Sequence, residues 1–148
     1  MDYLTVDGPL ALHFAGLSVE MTMLGIAMVL GLLQLFIAAR LNNGQRGPTW
    51  NLGARDGEPP PVSKGAGRME RARVNFMETF PFFAVTVLAL EVLSRHNAWT
   101  VFGSEVYVAA RILYVPLYGL GVFGIRTLVW VIGTGAIIAM LVALFLIR

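Results

Sequence analysis

Hydrophobic residues along the chain gather into long runs separated by short polar breaks, and no run alternates with a period of two. Crossing the hydrocarbon layer as a helix takes about 20 apolar residues. Four stretches meet or approach that length. The first runs from about Leu17 to Ala39, interrupted by Glu20 at its edge and by Gln34. The second runs from about Arg71 to Leu93 and holds Asn75, Glu78 and Glu91. The third runs from about Val106 to Phe123 and holds Arg111. The fourth runs from about Ile125 to Ile147, with no charge beyond Arg126 at its start. A closed barrel is the other way to span a bilayer, and the missing alternation argues against one. The expectation is an all-α, integral membrane four-helix bundle, one domain over residues 1–148.

Composition strengthens that reading. The chain is 57% hydrophobic over 148 residues, with a mean hydropathy of +0.71. A soluble domain of this size has trouble hiding that much apolar surface, whereas lipid removes the need. There are no cysteines, which excludes disulfides, thiolate metal sites and a protein-borne catalytic thiol. Thiol chemistry here therefore needs a thiol from a bound small molecule. His13 and His96 lie far apart, no metal-ligand spacing links them, and no metal is expected. The formal charge is only +2, and no nucleic-acid partner is expected.

Cations set the predicted orientation. Arg40, Arg46, Arg55, Lys64 and Arg68 lie between the first two spans, and Arg71 and Arg73 follow at once. The next loop offers only Arg95, and the C-terminus only Arg148. The first loop, about 41–67, is therefore predicted cytoplasmic and both termini outside. Rich in Gly and Pro, including Pro59, Pro60 and Pro61, it reads as an irregular cap, with Trp50 as an interface anchor. The N-terminus carries Asp2 and Asp7 where a cleaved signal needs cations, so the first helix is expected to stay.

Ionisable residues inside a membrane are expensive and are functional candidates by default. On the second helix Arg68, Arg71, Asn75 and Glu78 fall within about 80° of one another, a polar stripe running inward from the cytoplasmic end over Phe82. On the third, Tyr107, Arg111, Tyr114 and Tyr118 fall within about 60°. At 1.5 Å per residue, Glu78 lies about 15 Å inward of Arg68, where the stripe begins, and Arg111 about 18 Å from the cytoplasmic end of the third span at Phe123. An ion pair between them near the midplane is expected. Such a pair locks helix packing as readily as it meets a ligand. The arginines taken singly serve topology, and Asn75 is what extends the stripe beyond that role.

Pro116 is expected to kink the third helix. Arg126 and Thr127 open the fourth, where unpaired N–H groups and the dipole attract anions such as a thiolate or carboxylate. Gly119, Gly121 and Gly124 spell a dinucleotide-type G-x-G-x-x-G, but that motif needs a preceding strand and a βαβ unit. Here the glycines read as a tight helical hairpin. Gly133 and Gly135 are expected to allow close helix packing. Glu91, Glu105, His13 and His96 are expected near the outer interface, facing solvent or headgroups.

The run Arg68-Met69-Glu70-Arg71-Ala72-Arg73-Val74-Asn75-Phe76-Met77-Glu78-Thr79-Phe80-Pro81-Phe82 resembles the second-helix signature of the MAPEG family, the membrane-associated proteins in eicosanoid and glutathione metabolism. Arg111-Ile112-Leu113-Tyr114-Val115-Pro116-Leu117-Tyr118, followed by Gly124-Ile125-Arg126-Thr127, resembles that family's third helix and fourth-helix start. The overall style is similar to the bacterial branch, which implies an inner-membrane location. The resemblance further implies a homotrimer that binds glutathione as cosubstrate between protomers, toward the cytoplasmic side. It carries a glutathione-holding role to Asn75 and Glu78, with Arg71 and Arg73 in the same motif. It gives a lining role to Tyr118 and thiolate activation to Arg126. Arg46 stands near a cationic family position. Val74 stands where some members have an arginine, Tyr114 where some have a histidine, Thr127 where a serine stands, and Trp130 where a tyrosine stands.

The reading that follows is a glutathione-dependent membrane transferase or peroxidase acting on a small apolar electrophile or a lipid hydroperoxide. Arg126 and Thr127 are its catalytic candidates. Arg71, Arg73, Asn75, Glu78, Arg111, Tyr114 and Tyr118 are its glutathione-binding candidates. The rival is a non-catalytic membrane protein that binds a lipid or anionic metabolite or supports a partner. No pair of interrupted helices related by a repeat points to a transporter.

Overall fold

A computed structural model describes residues 16–146. The N-terminal tail with Asp2, Asp7 and His13, and Ile147 and Arg148 at the other end, lie outside the described residues. Four helices follow in order: α1 Val19–Leu52, α2 Lys64–Leu93, α3 Ala98–Leu120 and α4 Ile125–Leu146. Among the described residues there are no strands. Three of the helices, α1, α2 and α4, are long and apolar enough to cross a membrane. The 23-residue α3 has the length but carries Ser104, Glu105, Tyr107 and Arg111, all turned into the bundle.

Polar side chains set the helix ends. Ser18 caps α1, its Oγ accepting Met21 N–H at 3.1 Å. Ser63 caps α2 by accepting Ala66 N–H at 3.3 Å and is itself held by Gln45, whose Oε1 accepts Ser63 N–H at 2.6 Å. Asn97 and Thr100 form a reciprocal capping box at the start of α3. These caps explain where the observed helices exceed the apolar runs. Helix α1 continues past Ala39 into the segment read as an irregular loop and breaks only at Gly47, whose φ of 82° is non-helical and precedes Pro48. The connection to α2 is thereby reduced to residues 53–63. Helix α3 begins at Ala98, two turns before the apolar run, and keeps helical backbone through Pro116.

The core combines Met23 and Ala27 of α1, Phe76, Phe83 and Val87 of α2, Tyr107 of α3, and Ile137 and Met140 of α4. Phe83 stacks on Tyr107 with centroids 4.1 Å apart. Helices α3 and α4 approach most closely: a Cβ on Gly103 would lie 2.5 Å from Met140 Cγ, and one on Gly133 would lie 3.3 Å from Ala110 Cβ. Gly133 thus fills its expected role. Gly135 is exposed with open space beside it and does not. Most exposed residues of α1, α2 and α4 are Leu, Ile, Val, Phe or Met, as helices facing hydrocarbon require.

Candidate functional site

The site lies where α2, α3 and the start of α4 meet. Arg111 is buried, 2% exposed. Its Nη1 donates to Asn75 Oδ1 at 2.9 Å, and its Nη2 donates to Thr79 Oγ1. The Asn75 amide nitrogen in turn donates to Glu78 Oε2 at 3.2 Å. The expected Glu78–Arg111 ion pair is therefore not formed, and Asn75 stands between the two groups. Helical geometry gives the reason. Asn75 and Thr79 are one turn apart and both face α3, while Glu78 sits about 100° around the helix from Thr79. Glu78 consequently lies on the exposed flank of α2.

Aromatic rings complete the arrangement. The Arg111 guanidinium carbon sits 5.4 Å from the Tyr107 ring centroid and 5.6 Å from that of Tyr114. Tyr114 and Tyr118 are neighbours at 5.4 Å. Arg126, in the first turn of α4, places its guanidinium carbon 4.9 Å from the Tyr118 centroid. A chain of cation and ring thus runs Arg111, Tyr114, Tyr118, Arg126 from interior to surface. Thr79 hydroxyl and Tyr107 hydroxyl share a hydrogen bond of 3.3 Å behind this chain.

The residues form two layers. Glu78, Arg71 and Thr127 are exposed, and Asn75, Tyr118 and Arg126 are half-buried. Thr79, Tyr107, Arg111 and Tyr114 are buried behind them. Arg111 and Tyr114, both expected at the ligand, lie in the buried layer. Arg73 is turned toward α1, where Glu70 accepts its Nη2 at 2.6 Å and its Nε at 3.2 Å and also accepts Asn42 Nδ2 at 3.3 Å. Arg68 leaves the stripe too. Its Nη1 donates to Leu120 carbonyl at 3.3 Å, a cation at the negative end of α3.

The description of the matching family model decides the affiliation: the MAPEG family model aligns with residues 23–146. The chain belongs to the MAPEG family. It is an integral membrane helical bundle, and its apolar helices place it among lipids. No curated protein and no solved structure matches the chain significantly. The MAPEG assignment makes a glutathione-related transferase, peroxidase or related membrane function the relevant class. Among the described residues no group of His, Asp and Glu is arranged to hold a metal ion.

Thr79 is the Arg111 partner that the sequence pattern does not single out. Thr79 reads as an ordinary helix residue. Its position one turn beyond Asn75 was the available signal, since a buried guanidinium needs more acceptors than one amide provides.

Proposed function

We propose that this MAPEG protein is a glutathione-dependent membrane transferase or peroxidase. The observation that carries the reading is Arg126. A partly exposed guanidinium in the first turn of α4, steadied on the Tyr118 ring, combines a full cation with the positive end of a helix. A free thiol has a pKa of about 8.5 and reacts as the thiolate. Lowering it by two units takes about 2.7 kcal/mol of differential stabilisation. Arg126, the Thr127 hydroxyl and the α4 N-terminus supply charge and donors of the right kind. Arg71 offers a cation for a glutathione carboxylate, and Glu78 an acceptor for its ammonium group.

In this reading the thiolate attacks a small apolar electrophile, or reduces a lipid hydroperoxide, arriving laterally from the bilayer. Glu78 lies on an exposed flank within the span, a costly place for a carboxylate facing lipid. A homotrimer that covers this flank, with glutathione between protomers, fits that cost. The proposed orientation has the α1–α2 loop and Arg126 on the cytoplasmic side of a bacterial inner membrane and both termini outside.

One observation favours the non-catalytic rival: Arg68, Arg73 and Arg111 each donate to a group of this chain. Glutathione binding to the purified protein, followed by the thiolate absorbance in wild type and Arg126→Ala, separates the two. Saturable binding with a thiolate signal lost in the variant supports the enzyme. Folded protein that binds no glutathione at millimolar concentration supports the rival.

A further inference from the structure

Arg111 is a cation buried within the span, and its hydrogen-bond partners among the described residues are neutral. Nη1 donates to the Asn75 amide oxygen at 2.9 Å, and Nη2 donates to the Thr79 hydroxyl. Two ring faces, Tyr107 and Tyr114, lie 5.4 and 5.6 Å from the guanidinium carbon. Glu78 is only one amide away, since Asn75 Nδ2 donates to its Oε2 at 3.2 Å. A guanidinium and a carboxylate this near each other in a low-dielectric setting attract strongly. Their separation therefore needs a cause in the fold.

Thr79 supplies much of it. Its hydroxyl donates to the Phe76 carbonyl three residues back at 3.3 Å, which leaves only lone pairs for its other neighbours. Arg111 Nη2 donates to one of them. The Tyr107 hydroxyl, 3.3 Å away, donates to the other, and Tyr107 is itself fixed by its stack on Phe83. The same cation orients Asn75. A guanidinium only donates, so the amide turns its oxygen to Arg111 and its nitrogen to Glu78. Each Nη of Arg111 thus has a neutral acceptor, and Oε1 of Glu78 accepts from no group among the described residues.

We propose that Thr79 is a positioning residue: together with Asn75 it holds the buried cation off Glu78 and keeps that carboxylate available for the ammonium group of the thiol ligand. The identity of the ligand rests on the glutathione reading, and the spacing rests on the hydrogen bonds alone. Without the Thr79 oxygen, Nη2 of Arg111 loses its acceptor, and a buried guanidinium does not stay without one. Glu78 is the acceptor its network already reaches through Asn75. Arg111 then pairs with Glu78, and a ligand's ammonium group meets a carboxylate that is already neutralised.

Two measurements on the purified full-length protein in detergent test this. The first needs no ligand and is a thermal-denaturation cycle. Glu78→Gln, nearly neutral in the wild type, should lower the midpoint by several degrees in a Thr79→Val background, where it breaks the new ion pair. In a Thr79→Ser background, which keeps the oxygen, it should stay nearly neutral. Thr79→Ala carries the same test where Thr79→Val does not fold. The second measurement compares glutathione with glutathione acetylated on its amino nitrogen, which lacks the cation. Wild type and Thr79→Ser should prefer glutathione by roughly tenfold, as for one hydrogen bond between charged groups, and Thr79→Val should lose the preference. A Glu78→Gln effect on the midpoint that is equal in wild type and Thr79→Val overturns the spacing, and so does a Thr79→Val protein that keeps the full preference. Equal wild-type affinity for the two thiols overturns the ammonium role of Glu78 while glutathione binding stands. Protein that binds neither thiol removes the glutathione reading, and the midpoint cycle still decides the spacing.

Discussion

Asn75 accepts the Arg111 guanidinium at 2.9 Å and, through its own amide nitrogen, holds Glu78 Oε2 at 3.2 Å. One neutral side chain thereby couples a buried cation to an exposed carboxylate. Replacing it with leucine, Asn75→Leu, removes an acceptor from Arg111 and a donor from Glu78 together. The expected loss is about 1–2 kcal/mol of stability for an intramembrane hydrogen-bond site, with weaker glutathione binding. Denaturation in detergent gives the first quantity. Wild-type stability in this variant would show that the amide bridge carries no weight.

Glu78→Gln should behave differently. Glu78 makes no ion pair with Arg111, and the glutamine amide oxygen still accepts the Asn75 N–H. Protomer stability is expected to change by less than about 0.5 kcal/mol, as for an exposed position away from a packed network. Glutathione affinity should fall, because the negative charge is gone. A large stability loss with unchanged affinity would assign Glu78 a purely structural role.

The contrast between these two variants marks what was legible beforehand. Helical spacing placed Asn75, Glu78, Arg111 and the tyrosines on two facing stripes and at matching depth. It did not specify which flank of the α2 stripe meets α3, since that depends on packing around Phe76, Phe83 and Tyr107. Apolar runs report membrane depth, not helix length, so α1 beyond Ala39 and α3 before Val106 were hidden. Their caps, Asn97 with Thr100 and the break at Gly47 and Pro48, carried that information locally. At the other end of the bundle Glu20 and Glu91 both come within 3.5 Å of His96, and Glu105, expected at the surface, is buried; these residues are distant in sequence, and no local pattern connects them.

Tyr118 offers a way to separate ring from hydroxyl. Its ring face supports Arg126 at 4.9 Å, an interaction of about 0.5–1 kcal/mol at a partly exposed site. Tyr118→Phe keeps the face and should keep the glutathione thiolate signal. Tyr118→Leu removes it, and the signal should drop several-fold as Arg126 samples other rotamers. Equal losses in both variants would point to the hydroxyl as the working group.

Gly121 terminates α3 with φ +77°, and its N–H bonds to Leu117 and Tyr118 carbonyls. A Cβ there would lie 2.6 Å from the Arg68 guanidinium, which itself satisfies the Leu120 carbonyl. Gly121→Ala therefore pays twice, in left-handed backbone strain of about 1 kcal/mol or more and in displacement of Arg68. Arg68→Ala alone removes only the second part. The two losses should be non-additive in a double variant, because the guanidinium displaced by the methyl is then already absent. A thermal-denaturation cycle over the four proteins measures this. Strict additivity would mean that Arg68 moves aside freely, and that the α3 end is held by Gly121 alone.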